Sequence, residues 1–178
     1  MDLEPMFTAE QIAARVSALG AQITREYAAA GVSELVCIGV LKGSILFLAD
    51  LVRKLDLDVR IELLGVSSYE GTESTGNVRI TSDLRADIAG RHCLLVEDIA
   101  DTGLTLEYLR RALTVRGPAS LKVAALLDKP SRREVAVAVD YVGFSIPDRF
   151  VIGYGLDYDQ RYRQLPFIAV VTALDETG

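Results

Sequence analysis

Glu97, Asp98 and Asp101 close an apolar run, Leu94-Leu95-Val96, and Thr102-Gly103-Leu104-Thr105 follows at once. An apolar run ending in charge reads as a buried strand. Leu106, Leu109 and Leu113 then recur at helical spacing until Gly117-Pro118 stops them. The acidic and hydroxyl-bearing residues therefore occupy a strand-to-helix turn. In open α/β sheets such turns, at the carboxyl ends of strands, collect ligands, and loop and helix N-terminal amides attract anions. Thr102, Gly103, Leu104 and Thr105 supply amides and two hydroxyls, with Gly103 free to take a backbone conformation closed to other residues. That is a phosphate cradle. Phosphate beside three carboxylates is repelled unless something else is recognised there, so Glu97 and Asp98 are assigned to sugar hydroxyls or a hard cation. A phosphorylated sugar with magnesium meets both demands, and the alternative is a solvated turn after a core strand.

Other segments carry chemistry-bearing residues at strand ends. Gly39-Val40-Leu41-Lys42-Gly43-Ser44 offers a positive charge at Lys42, backbone access at Gly43 and a helix cap at Ser44, suited to a second phosphate. The same pattern equally suits an ordinary capped turn. Lys129 follows the run Leu126-Leu127-Asp128, where a solvated lysine is the usual explanation. The stretch from Val142 to Tyr158 is rich in aromatics and glycine, and by itself reads as core and turn. His92 is the single histidine, so a histidine-based triad or zinc site has no support and a structural place is expected.

The elements that must position these residues follow from periodicity. Thr8-Ala9-Glu10-Gln11 matches a capping box, and Ile12, Val16, Leu19 and Ile23 share one helical face, predicting a helix to about Tyr27. Residues 35–40 read as a buried strand, 44–55 as a helix and 59–66 as a strand, a β-α-β alternation that favours parallel pairing. Residues 67–77 form a polar, glycine-containing excursion of the kind that serves as a lid, with a returning strand at 78–81. Residues 121–127, 141–144, 150–154 and 167–171 read as further strands. No internal repeat, low-complexity segment or linker-like break interrupts residues 1–178, so one domain is expected.

Composition narrows the function class. The chain has 178 residues, half of them hydrophobic, enough for one substantial core. A net charge of -6 with no Lys/Arg block argues against a general nucleic-acid surface. Cys37 and Cys93 both sit in apolar runs and make no disulfide framework, which suits a reducing cytoplasm. Residues 1–9 lack a secretion signal pattern, and Lys42, Gly43 and Asp50 break the most apolar region, arguing against a membrane span.

The stretch Glu97-Asp98-Ile99-Ala100-Asp101-Thr102-Gly103-Leu104-Thr105 resembles the phosphoribosyl pyrophosphate motif of the type I phosphoribosyltransferases, and is most similar to their hypoxanthine-guanine branch. Ala100 stands where a bulkier aliphatic is frequent, and Leu104 at a variable position. The resemblance implies an open, mainly parallel twisted sheet flanked by helices, with a small β-rich hood from the chain ends. It implies transfer of a 5-phosphoribosyl group from phosphoribosyl pyrophosphate to hypoxanthine or guanine, giving IMP or GMP and pyrophosphate. Leu41, Lys42 and Gly43, through a cis peptide between Leu41 and Lys42, and Arg163 would then bind pyrophosphate. Glu97 and Asp98 would hold the ribose hydroxyls, and Asp101 would act as base or electrostatic partner beside the purine. Lys129 would donate to the 6-oxo group, disfavouring adenine. Phe150 would stack on the base, the Val151 backbone would meet its edge, and Asp157, at the purine side, would join Glu97 and Asp98 in holding Mg2+. Ser68-Tyr69 with Ser74-Thr75-Gly76 resembles the family's mobile loop, and a homodimer or homotetramer is the family habit. Two rivals remain: an enzyme of the class acting on xanthine, adenine or a pyrimidine, and a regulator that kept the site but binds RNA or DNA. A salt-sensitive nucleic-acid affinity without pyrophosphate release would favour the second.

Overall fold

The computed structural model describes residues 2–69 and 77–173. In chain order these form β1 (Asp2–Phe7), α1 (Ala9–Ala29), β2 (Glu34–Leu41), α2 (Ile45–Val52), β3 (Asp58–Tyr69), β4 (Asn77–Ser82), β5 (His92–Ala100), α3 (Leu104–Thr114), β6 (Ser120–Asp128), β7 (Tyr141–Ser145), β8 (Val151–Ile152) and β9 (Ile168–Ala173). Six strands make one sheet in the order β4-β3-β2-β5-β6-β7. All its pairings are parallel except β3 with β4. The expected mainly parallel sheet is therefore present.

Helices cover both faces, which is why the central strands read as unbroken apolar runs. Along β5, Leu94 and Val96 join the cluster that contains α1 and α2 residues, while Cys93 and Leu95 join the cluster that contains Leu106, Leu109 and Leu113 of α3. Each of these leucines is fully buried, worth about 2 kcal/mol apiece by apolar transfer. The predicted capping box starts α1: Thr8 Oγ1 accepts from the Gln11 amide at 3.3 Å, and Gln11 Oε1 accepts from the Thr8 amide at 2.8 Å. Ile12, Val16, Leu19, Ile23 and Tyr27 then face inward, as the spacing predicts.

A second sheet, order β1-β9-β8, unites the two chain ends into the expected hood. It is tied down where Phe7 stacks on Phe144 of β7 at 4.0 Å between ring centres. Nearby, Arg15 of α1 donates from Nε and Nη2 to the carbonyls of Gly143 and Val142, each at 2.6 Å. His92 lies at the amino end of β5, with Nδ1 2.8 Å from Ser120 Oγ and its ring edge-on to Tyr27. Its place is structural. Among the described residues, no helix is long and apolar enough to cross a membrane.

Several boundaries differ from expectation. Residues 2–7 show no strand periodicity of their own, and pair only because β9 offers a ladder. The strand read at 150–154 shrinks to β8, because Gly153, Tyr154 and Gly155 all have positive φ. Such φ values take the chain out of the extended region. The helix read to 55 ends at Val52 and passes into tighter turns, with Lys54 N–H on the Leu51 carbonyl and Leu55 N–H on that of Val52. The excursion read from Ser67 is shorter: β3 runs on to Tyr69, and Ser68 and Tyr69 pair with Val78 and Asn77 of β4. These two expected loop residues stand at the stem of a hairpin, and Ser74-Thr75-Gly76 lie outside the described residues.

Candidate active site

Two adjoining clefts open at the carboxyl edge of the parallel sheet. The first, about 330 Å³, is lined by Leu41, Lys42 and Gly43 at the end of β2 and just beyond it, Glu97 and Asp98 at the end of β5, Asp101, Thr102, Gly103 and Thr105 before and within α3, and Asp157 and Arg163. The second, about 220 Å³, is lined by Lys129, Phe150 and Val151, and shares Asp98, Asp101 and Asp157 with the first. The structure thus brings nearly all the residues singled out in the sequence to one place. Leu104 is the exception within its motif, its amide donating to Thr102 Oγ1 at 3.4 Å.

The acidic turn is shaped by contacts from β6 and the segment after it. Gly103 sits at φ +87, and a Cβ there would lie 2.9 Å from the Val135 carbonyl and 3.0 Å from Arg133 Cδ. Left-handed backbone and close approach both require glycine. The Thr102 carbonyl accepts from the amides of Glu134 (2.9 Å) and Val135 (3.3 Å). Arg133 donates to the Asp101 carbonyl and to the Asp128 carboxylate. The turn before α3 is therefore held from outside, leaving the amide-rich side toward the cleft.

Opposite it, the Leu41–Lys42 peptide is cis, as the resemblance implied. The loop packs tightly on its neighbours: a Cβ on Gly43 would fall 1.5 Å from Asp98 Oδ2, and one on Gly155 (φ +101) 2.1 Å from the Gly43 carbonyl. Ser44 does not cap α2 as expected. Its own backbone is helical, so its buried Oγ donates back to the Val40 carbonyl at 2.7 Å. Arg163 donates to the Gly155 carbonyl at 2.8 Å and pairs with Asp157 at 2.9 Å.

Electrostatics mark the same turn. Burial pushes the Glu97 carboxyl well above the usual carboxylate range, reinforced by the charge of Asp98. Burial also raises Asp98 to about 6, partly offset by the Ile99 amide at 2.8 Å and by Arg163. Both groups hold a proton more readily than ordinary acids, as a site built to receive donors or cations does. Among the described residues, no three His, Cys, Asp or Glu side chains are grouped to hold a metal ion. The expected trio of Glu97, Asp98 and Asp157 is therefore not a preformed cage. Glu97 and Asp98 are consecutive in a strand, and successive side chains diverge.

Asp101 and Lys129, which line the second cleft, form a square of alternating charge with Arg132 and Asp148, two residues that the sequence reading missed. Asp101 lies 3.2 Å from Arg132 and 4.0 Å from the buried Lys129 ammonium, and Asp148 lies 3.7 Å from both cations. Two carboxylates thus compensate a lysine that is 6% exposed. Phe150, half exposed, and Tyr158 are T-shaped to one another, with ring centres 5.8 Å apart. Arg132 and Arg133 follow Lys129 closely in sequence, and Asp148 precedes Phe150 by two, but nothing local to those segments announces that they meet Asp101.

Comparison with known proteins agrees with this geometry. A family model described as phosphoribosyl transferase domain matches residues 6–159. The chain is 53% identical over 171 residues to hypoxanthine phosphoribosyltransferase of Haemophilus influenzae, covering 95% of both chains. It is 49% identical over 170 residues to hypoxanthine-guanine phosphoribosyltransferase of Mycobacterium tuberculosis, covering 93% of this chain and 84% of the relative. Among solved structures it is similar to hypoxanthine-guanine phosphoribosyltransferase of Bacillus anthracis, with a TM-score of 0.89, 44% identity and coverage of 94% and 98%. Hypoxanthine phosphoribosyltransferase of Trypanosoma cruzi superposes with a TM-score of 0.91 at 46% identity, covering 94% and 90%. With a nearly full-length match, a shared fold and one cleft joining the acidic turn to Lys129 and Phe150, the chain belongs to the hypoxanthine-guanine phosphoribosyltransferases, purine-salvage enzymes that use a divalent metal in moving a phosphoribosyl group from phosphoribosyl pyrophosphate to hypoxanthine or guanine.

Proposed function

We propose that the two clefts divide the reaction between them, phosphoribosyl pyrophosphate in the larger and the 6-oxopurine in the smaller, meeting at Asp101. The observation that carries this reading is the sharing of Asp98, Asp101 and Asp157 between both clefts. The amides and hydroxyls of residues 102–105 hold the 5-phosphate, as the start of α3 is suited to do. Glu97 and Asp98 take the ribose hydroxyls, whose donors offset the burial of the two carboxyls. Lys42, Arg163 and the amides of residues 41–43 hold the pyrophosphate.

In the transfer, the bond from the anomeric carbon to pyrophosphate breaks, positive charge gathers at that carbon, and a purine ring nitrogen bonds to it. Asp101, oriented by Arg132, receives the proton that the ring nitrogen sheds. Lys129, fixed between Asp101 and Asp148, donates to the 6-oxo group, and an adenine amino group would meet it donor to donor. Phe150 stacks on the base, and the Val151 backbone meets its edge. Magnesium fits the donor set: Asp98 and Asp157 offer hard oxygens beside the pyrophosphate loop, and this ion is ordinarily held by one or two carboxylates together with substrate phosphates. When bound, it neutralises charge on the departing pyrophosphate.

The reading includes a homodimer or homotetramer in a reducing cytoplasm. Ile61 and Leu63 are 53% and 41% exposed on the half of β3 that β4 leaves unpaired, which suits a subunit contact. Pyrophosphate release measured with hypoxanthine, guanine, xanthine and adenine, each with and without Mg2+, tests the assignment. Turnover is expected with hypoxanthine and guanine, only with the metal, and not with adenine. Equal rates with adenine would refute the role of Lys129.

A further inference from the structure

The turn from Asp157 to Arg163 carries a residue whose geometry the transfer reaction alone does not explain. Gln160 Oε1 accepts from Lys42 Nζ at 3.2 Å and from Arg163 Nη2 at 3.1 Å. Lys42 comes from the loop after β2 and Arg163 from near the chain end, so the amide oxygen is the point where two cations from remote segments converge. Among the described residues Lys42 Nζ donates to Gln160 alone. The Arg163 guanidinium donates from Nη1 to the Gly155 carbonyl at 2.8 Å, and the Nη2 that meets Gln160 also lies 2.9 Å from the Asp157 carboxylate, so Gln160 is the neutral one of its two side-chain partners.

The backbone presents that amide deliberately. Asp159, Gln160 and Tyr162 have φ of 50, 60 and 73, a left-handed conformation uncommon for residues with side chains. Three such residues within four positions mark a turn held by its surroundings, the kind of local strain that collects at ligand clamps. The Gln160 amide donates to Asp157 Oδ2 at 2.9 Å, and Tyr158 and Arg161 close the turn with reciprocal backbone bonds of 3.2 and 3.0 Å.

We propose that the Gln160 side chain is a built-in stand-in for a pyrophosphate oxygen: it satisfies Lys42 and Arg163 in the free enzyme, yields them to the incoming pyrophosphate group, and takes them back as the product leaves. This rests on the reading of Lys42 and Arg163 as the pyrophosphate grip. An oxygen that takes the two N–H groups now directed at Oε1 must displace it, so the amide and the ligand compete for those donors. The neutral amide makes weaker charge-assisted bonds than a phosphate anion, so exchange runs toward the ligand while still lowering its net affinity. A carboxylate at the same point would compete as an anion, whereas removal of the side chain would leave both cations free for the ligand.

Titration calorimetry with magnesium pyrophosphate at fixed ionic strength tests this. Gln160→Gly, which accepts left-handed backbone without strain, and Gln160→Ala should bind pyrophosphate several-fold more tightly and release it correspondingly more slowly in stopped-flow displacement. Gln160→Glu should bind it about tenfold more weakly, with the affinity for hypoxanthine unchanged in all three. Unchanged or weakened pyrophosphate binding by both Gln160→Gly and Gln160→Ala, at an unaltered melting temperature, overturns the proposal. Lys42→Ala and Arg163→Ala run in parallel: if neither weakens pyrophosphate, the grip itself is misassigned, whereas if they weaken it while the Gln160 variants do not tighten it, only the stand-in role falls.

Discussion

Asp98 offers a direct test of how the acidic turn trades stability for binding. Its carboxyl, ordinarily near 3.8, is raised to about 6, chiefly by burial. That rise corresponds to about 1–3 kcal/mol by which ionised Asp98 disfavours the ligand-free fold at neutral pH, the range allowing for the part of the residue that solvent reaches. The sign follows from proton linkage. Below pH 4 both folded and unfolded chains hold the proton and no penalty exists. Between about 4 and 6 the unfolded chain loses its proton first, so stability falls as pH rises, and above 6 the deficit is constant. Asp98→Asn keeps an acceptor for the Ile99 amide and the same shape against Gly43, but carries no charge. At pH 7.5 without ligand, the variant should be more stable by about 1–3 kcal/mol, a melting temperature higher by roughly 3–10 °C for a chain of this size. The gap should close by pH 4. With magnesium and phosphoribosyl pyrophosphate present the order should reverse, since wild type gains binding stabilisation that the variant largely forfeits. Thermal unfolding from pH 4 to 8, with and without these ligands, reads all three outcomes. A variant no more stable than wild type at pH 7.5, or a gap persisting at pH 4, would refute the reasoning.

Three further outcomes follow from the site. Asp101→Ala should lower kcat about a hundredfold or more while changing KM for either substrate little, measured by steady-state kinetics with both substrates saturating in turn. Lys129→Met should raise KM for hypoxanthine at least tenfold and narrow its preference over adenine, because the buried donor and its two carboxylate contacts are lost. Gly155→Ala would place a methyl 2.1 Å from the Gly43 carbonyl at φ +101, so it should cost about 2 kcal/mol or more by urea unfolding and raise KM for phosphoribosyl pyrophosphate without altering that for the base.

Legibility in the sequence tracked the range of the interaction. The helix start at Thr8, the buried strands around Val36 and Leu95, and the acidic turn at 97–105 were readable because capping, burial on two faces and a strand-to-helix turn each leave their mark within about ten residues. The short β8 was over-read because three consecutive positive φ values, one of them at Tyr154, have no compositional signal beyond two glycines. How Glu97, Asp98 and Asp157 sit relative to one another was not readable, because carboxylates adjacent in sequence diverge once they lie in a strand.

What the sequence determined by itself was the acidic turn, three carboxylates before hydroxyl-bearing residues, set by local residue type and order, while the Leu-Lys-Gly loop, Lys129 and Phe150 stood out through the family resemblance. Only the tertiary structure decided how these act together. The seating of Asp98 on Gly43 and of Gly43 on Gly155, the hold of Arg133 on Asp101, the charge square around Lys129, and the convergence of Lys42 and Arg163 on Gln160 mostly join residues far apart along the chain. Contacts of that kind depend on which strands become neighbours, and a strand order set by the packing of two buried faces leaves no period along the chain from which to read it.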